Sequence, residues 1–164
     1  MNKNIILKLI TLILVLINIF LIFSFSSEQA SVSKETSKKV TEKVLEVTVP
    51  DFREKPEPVQ KNMIKKTDAG IRTLAHFSEY TLLGFLVFLH LSLYKMSKIK
   101  KASLAFSGCS LCAIADEIYQ ISVPGRSFQF TDILVDVSGG LLGIAILSLI
   151  FIIVKKCVKK TAVS

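Results

Sequence analysis

The sequence predicts an all-α, polytopic membrane protein whose four transmembrane helices form a small antiparallel bundle. Three observations predict this fold class. First, 51% of the 164 residues are hydrophobic and the mean hydropathy is +0.53, which is more apolar than an ordinary soluble domain. Second, the apolar residues fall into four long blocks, each near the roughly 20 residues that cross about 30 Å of hydrocarbon. Third, lysines gather at the ends of these blocks, as they do beside membrane spans.

The first block runs from about Ile5 to Phe25 and predicts a transmembrane helix within residues 1–25. A cleaved signal peptide is the rival interpretation, because Lys3 and Lys8 would form its basic start. The apolar stretch is longer than the usual signal-peptide core of about 7–15 residues. This length favours a retained first helix.

Residues 26–71 form a polar stretch with nearly balanced charge, predicted to be an extracytoplasmic loop. Val40, Val44 and Val47 recur at helical spacing, so a short amphipathic helix lying on the membrane is one interpretation. A flexible solvated loop is the other, and the sequence leaves both open. Prolines that end any helix follow at three positions: Pro50, Pro56 and Pro58.

The remaining three blocks span about Ile71–Tyr94, Ala102–Val123 and Asp132–Val154. Together with a basic tail they form a predicted core of residues 72–164. The loops between them are short, and short loops make neighbouring helices antiparallel.

The net charge of +8 is concentrated in two lysine clusters. One lies in the loop after the second block and the other in the tail: Lys95, Lys98, Lys100 and Lys101, then Lys155, Lys156, Lys159 and Lys160. The positive-inside rule makes both clusters, and hence both termini, cytoplasmic. Basic residues at span ends contact anionic lipid headgroups, so we expect membrane lipids and no nucleic acid as partners.

Ionisable residues lie near one end of three blocks, where each costs about 3 kcal/mol within a bilayer unless it is paired or functional. The orientation above places all of them in the outer half of the membrane. Their spacings of three or four residues place the members of each set on one face of their helix. We therefore predict a shared, outward-facing ligand pocket formed by Arg72, His76, Glu79, Asp116, Glu117, Gln120, Arg126, Asp132 and Asp136.

The charge of this set makes it chemically distinctive. Its five carboxylates face two arginines and one histidine, a formal charge of about −3 with the histidine neutral, which a low-dielectric site tolerates poorly. Such a site would protonate some acids, bind a cation or admit water. The candidate metal ligands are His76, Glu79, Asp116, Glu117 and Asp132. The alternative is structural pairing alone, of Arg72 with Asp116 or Glu117 and of Arg126 with Asp132.

Small residues predict where helices approach closely. Gly139 and Gly143 form a small-xxx-small face on the last helix. Gly108, Cys112 and Asp116 form a similar stripe on the third. Cys109 and Cys112 have redox spacing, but their position inside an apolar helix favours packing.

Several motifs resemble the VanZ-like family of membrane proteins, over nearly all of the chain except residues 30–70. The first is Phe25-Ser26-Ser27-Glu28-Gln29, and the second runs from Arg72 through His76, Glu79 and Tyr80 to Gly84. The clearest is Asp116-Glu117-x2-Gln120-x3-Pro124-Gly125-Arg126-x5-Asp132-x3-Asp136-x2-Gly139-Gly140-x2-Gly143. The chain departs from the family at Asp136, where Asn is frequent.

The resemblance implies a bacterial cell-envelope membrane protein associated with resistance to teicoplanin, a glycopeptide antibiotic, and it does not imply a reaction. The leading hypothesis is binding of a lipid-linked cell-wall intermediate, a headgroup or a glycopeptide in the outward pocket. The alternative is a metal- or acid/base-dependent enzyme acting on a lipid-linked intermediate. Ion or proton translocation is a third hypothesis, suggested by His90 below the cluster, although a histidine near a helix end needs no such role. The sequence leaves open the ligand, any cofactor, the oligomeric state and the antibiotic spectrum.

Overall fold

The computed structural model describes residues 2–27 and 30–161, with side chains described at 2–27 and 37–159. Glu28 and Gln29 of the first family motif lie outside the described residues. The described residues form five α-helices: α1 (Lys3–Ser26), α2 (Ala30–Thr48), α3 (Glu57–Ser92), α4 (Lys98–Gln120) and α5 (Phe130–Thr161). A short 3-10 helix, Phe52–Glu54, precedes α3. The predicted all-α class is confirmed, since the described residues contain no strand.

Helix α3 is longer than the predicted second span, because it begins at Glu57 rather than near Ile71. Its 36 residues extend about 54 Å at 1.5 Å per residue, well beyond a hydrocarbon core of about 30 Å. Pro58 starts this helix instead of breaking it, since a proline in the first turn forfeits no intrahelical hydrogen bond. Hydropathy located only the apolar part of the helix.

Helix α2 packs against α3 through a face other than the predicted valine stripe. Leu45 is 4% exposed and Thr41 is fully buried, and the Thr41 hydroxyl donates to Asp68 Oδ1 at 3.5 Å. Val44 and Val47 remain 38% and 86% exposed. The polar segment before α3 is therefore largely helical, and α2 packs against the N-terminal part of α3.

Helices α3 and α5 form the closest pair, through the glycines that the sequence singled out. A Cβ added to Gly143 would collide with the Thr81 carbonyl oxygen, and one added to Gly139 with the Phe77 carbonyl oxygen. Across the same interface, a Cβ on Gly84 would collide with the carbonyl oxygen of Gly140. The predicted small-residue packing face on the last helix is confirmed.

The packed face of α4 overlaps the predicted stripe only in part. Gly108 is exposed, and a Cβ there would meet nothing within 4 Å. The buried residues are Ala105, Cys109 and Ala113, and Cys109 lies against Gly140. Within the predicted stripe, Asp116 is fully buried and Cys112 is half-buried. Gly108 alone points away, because one residue of register turns it about 100° from Cys109.

Within the part of the chain that the structure describes, three helices are long and apolar enough to cross a membrane: Lys3–Ser26, Glu57–Ser92 and Phe130–Lys159. Helix α4, the predicted third span, is not among them. Its buried face carries Asp116, Glu117 and Gln120, and these polar residues lower its average hydropathy. Exposed apolar side chains nevertheless cover the bundle, with Phe20 69% and Leu111 68% exposed.

The two ends of the bundle differ in chemistry. The polar end is where α1 and α4 finish and α5 begins, and it is marked by Ser26, Asp116, Gln120 and Asp132. The lysine end is where α3 finishes and α4 begins, and it is marked by Lys8, His90, Tyr94 and Lys101. Buried apolar residues of α1, α3 and α4 separate them, among them Ile22, Leu83 and Cys109.

Candidate functional site

A cavity of about 400 Å³ opens at the polar end. The first half of α3, the end of α4, the α4–α5 turn and the start of α5 supply its walls. Six of the predicted site residues line it: Arg72, His76, Gln120, Arg126, Asp132 and Asp136. The structure thus brings two thirds of the predicted set around one space, and their role in binding stays a prediction.

Asp116 lies at the centre of a buried hydrogen-bond network and is itself fully buried. Its Oδ2 accepts from the Ser26 hydroxyl at 2.8 Å and from Gln120 Nε2 at 3.0 Å. Arg126 Nη1 donates to Gln120 Oε1 at 3.1 Å, which orients the amide so that its nitrogen faces Asp116. A second Arg126 nitrogen, Nη2, donates to the Phe25 carbonyl oxygen at 3.4 Å. The network joins α1, α4 and the α4–α5 turn.

The α4–α5 turn holds Arg126 in place through backbone geometry. Gly125 has a φ of 80°, and the Arg126 N–H donates to the Val123 carbonyl oxygen at 3.1 Å. This is the pattern of a type II turn with proline at its second position and glycine at its third. Pro124-Gly125 in the family motif therefore has a structural reason, since the turn presents Arg126 to the cavity.

Glu117 is buried but faces the turn rather than the cavity. It is 2% exposed, and its Oε1 accepts from the backbone N–H of Gln129. Glu79 is half-buried on α3 and does not line the cavity either. These two residues of the predicted pocket lie beside it because each points along a different face of its helix.

Three side chains meet at the inner side of the cavity. His76, Asp116 and Asp136 each offer a potential ligand atom within 4.8 Å of those offered by the other two. Asp116 and Asp136 are 0% and 2% exposed. Each of the three also has a buried atom without a hydrogen-bond partner: His76 Nδ1, Asp116 Oδ1 and Asp136 Oδ1. Of the metal candidates named from the sequence, only His76 and Asp116 belong to this group, and Asp136 completes it.

The cavity walls are electrically balanced, unlike the predicted set. Three cationic side chains, Lys65, Arg72 and Arg126, share the walls with three carboxylates, Asp68, Asp132 and Asp136. The expected charge of about −3 counted Glu79, Asp116 and Glu117, which are not part of the cavity wall, and omitted Lys65 and Asp68, whose charges cancel. The proposed pairing of Arg72 with Asp116 or Glu117 is wrong, because among the described residues no ion pair within 4.0 Å joins them.

Lys65, Asp68 and Ser26 are the site residues that sequence reasoning missed. Lys65 and Asp68 precede Arg72 on the same helix face, at spacings of seven and four residues. That signal was available only if the helix was known to begin before Ile71. Ser26 was recognised as part of a motif, but its bond to a residue 90 positions away has no local signature.

His90 belongs to a separate network at the lysine end. Its Nδ1 lies 2.9 Å from the Thr11 hydroxyl and its Nε2 lies 3.3 Å from the Tyr94 hydroxyl. Lys8 Nζ sits 4.2 Å from the centre of the Tyr94 ring. Buried Tyr80 and Leu83 lie between His90 and His76 along α3. This arrangement supports a helix-pairing role for His90 more than a step in a translocation path.

The family resemblance is confirmed by comparison with known proteins. The family model described as VanZ/LLP1 matches residues 9–152, which include α1, the cavity and most of α5. No curated protein and no solved structure matches the chain.

Proposed function

Because the chain belongs to the VanZ/LLP1 family, we propose that it is a bacterial cell-envelope membrane protein that contributes to glycopeptide resistance of the teicoplanin type. In this proposal the cavity at the polar end binds the headgroup of a lipid or of a lipid-linked cell-wall intermediate. The bound ligand would alter how the antibiotic reaches its target.

The proposal includes a four-span bundle with both termini in the cytoplasm. Helix α4 would be the additional span, and its outward side chains support this: Leu104, Leu111 and Ile118 are 46%, 68% and 58% exposed. Lysines at the ends of α3, α4 and α5 favour a cytoplasmic lysine end. The polar end and its cavity then face outward, toward the leaflet where cell-wall intermediates are used.

The observation that carries the ligand class is the mixed charge of the cavity. Arg72 and Arg126 suit phosphate or carboxylate oxygens, since guanidinium groups bind both with paired hydrogen bonds. Asp132 and Asp68 suit an ammonium group on the same ligand. A headgroup that carries both an anionic group and an amine could bind the arginines and the aspartates of the cavity at the same time.

Native mass spectrometry of the protein purified in mild detergent tests the proposal. We expect a phospholipid or lipid-linked adduct on the wild-type chain and its loss in Arg72→Ala and Arg126→Ala. Arg53→Ala is the matched control, because Arg53 is exposed and pairs with Glu46 away from the cavity. Bacteria carrying the two cavity variants should lose teicoplanin protection while membrane abundance and thermal stability stay near wild type. Stable, abundant and fully protective variants would rule the cavity out as the working site.

A membrane enzyme acting on a lipid-linked intermediate is the second candidate. The group formed by His76, Asp116 and Asp136 favours it, because buried imidazole and carboxylates beside a cavity can act as a general base or hold a metal. This candidate requires that purified protein converts a lipid-linked substrate and that His76→Ala abolishes the conversion while the ligand adduct persists.

A further inference from the structure

The group of His76, Asp116 and Asp136 holds three of the five buried side-chain polar atoms that lack a hydrogen-bond partner among the described residues. Buried polar atoms in proteins are nearly always hydrogen-bonded, yet each of these three side chains has one that is not. The three come from α3, α4 and α5, and their ligand atoms lie within 4.8 Å of one another. Three side chains that each keep an unpartnered buried atom, and whose potential ligand atoms lie in one small volume, indicate a missing common partner.

The environment of Asp116 shows where that partner belongs. Ser26 and Gln120 both donate to Oδ2, and Arg126 fixes the orientation of the Gln120 amide. Oδ1 is left buried and without a donor. Hydrogen bonds to one carboxylate oxygen that leave the other free are how residues around a metal site orient its ligands.

Charge identifies the partner as a cation. Two carboxylates held at 0% and 2% exposure beside a third polar group are costly unless an opposite charge neutralises them. Arg126 reaches Asp116 through the Gln120 amide, to which it donates. A divalent ion would neutralise both carboxylates and accept the histidine nitrogen as its third ligand.

We propose that His76, Asp116 and Asp136 bind one divalent transition-metal ion, with Zn²⁺ as the probe of that site. One imidazole nitrogen and two carboxylate oxygens are ligands typical of zinc, at about 2.0–2.2 Å. Ligand atoms around a tetrahedral zinc lie about 3.4 Å apart, so small side-chain rotations close the present group around the ion. Neither the headgroup ligand nor antibiotic protection is needed for this site to exist.

The site leaves a coordination position open toward the cavity. His76 and Asp136 also line the cavity wall, and three protein ligands leave a fourth position of a tetrahedral ion for a water or a ligand oxygen, as in catalytic rather than structural zinc sites. The metal would therefore sit where an anionic group bound by Arg72 and Arg126 could reach it.

Zinc binding to the full-length protein in detergent tests the proposal. The protein is stripped with a chelator, reloaded with Zn²⁺ and desalted; mass spectrometry of the metal then gives the zinc content, and competition with a fluorescent chelator gives the affinity. We expect one zinc per wild-type chain. His76→Ala and Asp136→Asn should weaken the affinity by more than roughly 100-fold. Glu57→Gln, which removes an exposed carboxylate that pairs with Lys61 away from the cavity, should leave it unchanged.

The adjacent serines give a second test that does not remove a ligand. Ser26→Ala removes a donor to Asp116 and should weaken zinc affinity roughly 10–100-fold, the usual effect of losing an outer hydrogen bond at a metal site. Ser27→Ala is its control, because the exposed Ser27 hydroxyl donates to the Ser24 carbonyl oxygen of α1. Circular dichroism and gel filtration verify that each variant is folded. A wild-type chain that retains no zinc, or the same zinc affinity in Asp136→Asn and Ser26→Ala as in their controls, would overturn the metal site and leave the headgroup proposal standing.

Discussion

Replacing Gly143 by alanine should separate α3 from α5, because the new methyl group has no room. Its carbon would overlap the Thr81 carbonyl oxygen and lie 2.6 Å from the Phe85 nitrogen, whereas ordinary contact begins near 3.4 Å. The obstacles are backbone atoms, which cannot rotate away as a side chain can. The two helices must therefore move apart by roughly 1 Å at their closest pair, and overpacking of this kind costs about 1–3 kcal/mol.

The matched control is Gly108→Ala. Gly108 is also helical, but a Cβ there meets nothing within 4 Å, so the change should be neutral or stabilise by up to about 1 kcal/mol through lower backbone entropy in the unfolded chain. Thermal unfolding in the same detergent measures both. A loss of 1–3 kcal/mol corresponds to a midpoint lowered by roughly 2–12 °C in a chain of this size. If Gly143→Ala unfolds within 1 °C of Gly108→Ala, the close contact of α3 with α5 is wrong.

Three further predictions concern topology, the cysteines and the lysine end. In a background without native cysteines, a single cysteine is placed at Val47, which is 86% exposed, or at Lys98. An impermeant thiol reagent should label the first variant in intact cells and not the second; the reverse pattern contradicts the orientation. Alanine at both Cys109 and Cys112 should leave antibiotic protection intact, since Cys109 packs against a glycine and both thiols are free; lost protection at normal protein level would favour redox chemistry. Thr11→Val should lower stability by about 1 kcal/mol, because it leaves a histidine nitrogen without its bond, while zinc and lipid binding at the other end stay unchanged; a change in either would couple the two ends.

The apolar blocks predicted the helices inside the bundle well, because a long run of apolar residues is a local sequence signal of a membrane-spanning helix. The start of α3 at Glu57 was not predictable in this way. That segment is polar, and its helix is stabilised by packing against α2, through contacts such as Thr41 with Asp68, which depend on residues distant in sequence.

Side-chain direction at helix ends set a second limit. Helical spacing correctly brought Arg72 and His76 to one space with Asp132 of α5. It misjudged Glu117, because the turn after α4 offers a backbone N–H that draws this carboxylate away from the cavity. A one-residue difference in register likewise separates Gly108 from the packed face around Cys109. Periodicity predicts which residues share a face, but the loops and neighbours decide which face is inside.

Retention of α1 in the mature protein is a prediction that the site itself requires. Inside a bilayer, helices associate through close packing and interhelical hydrogen bonds rather than through the hydrophobic effect. Helix α1 has both: Ile22 is fully buried in the core, and Ser26 donates to Asp116. Removal of residues 1–26 or more would expose that core and leave Asp116 without its donor from α1. The intact mass of the purified protein should therefore include α1, and a mass short by this segment would show that the first block is a cleaved signal after all.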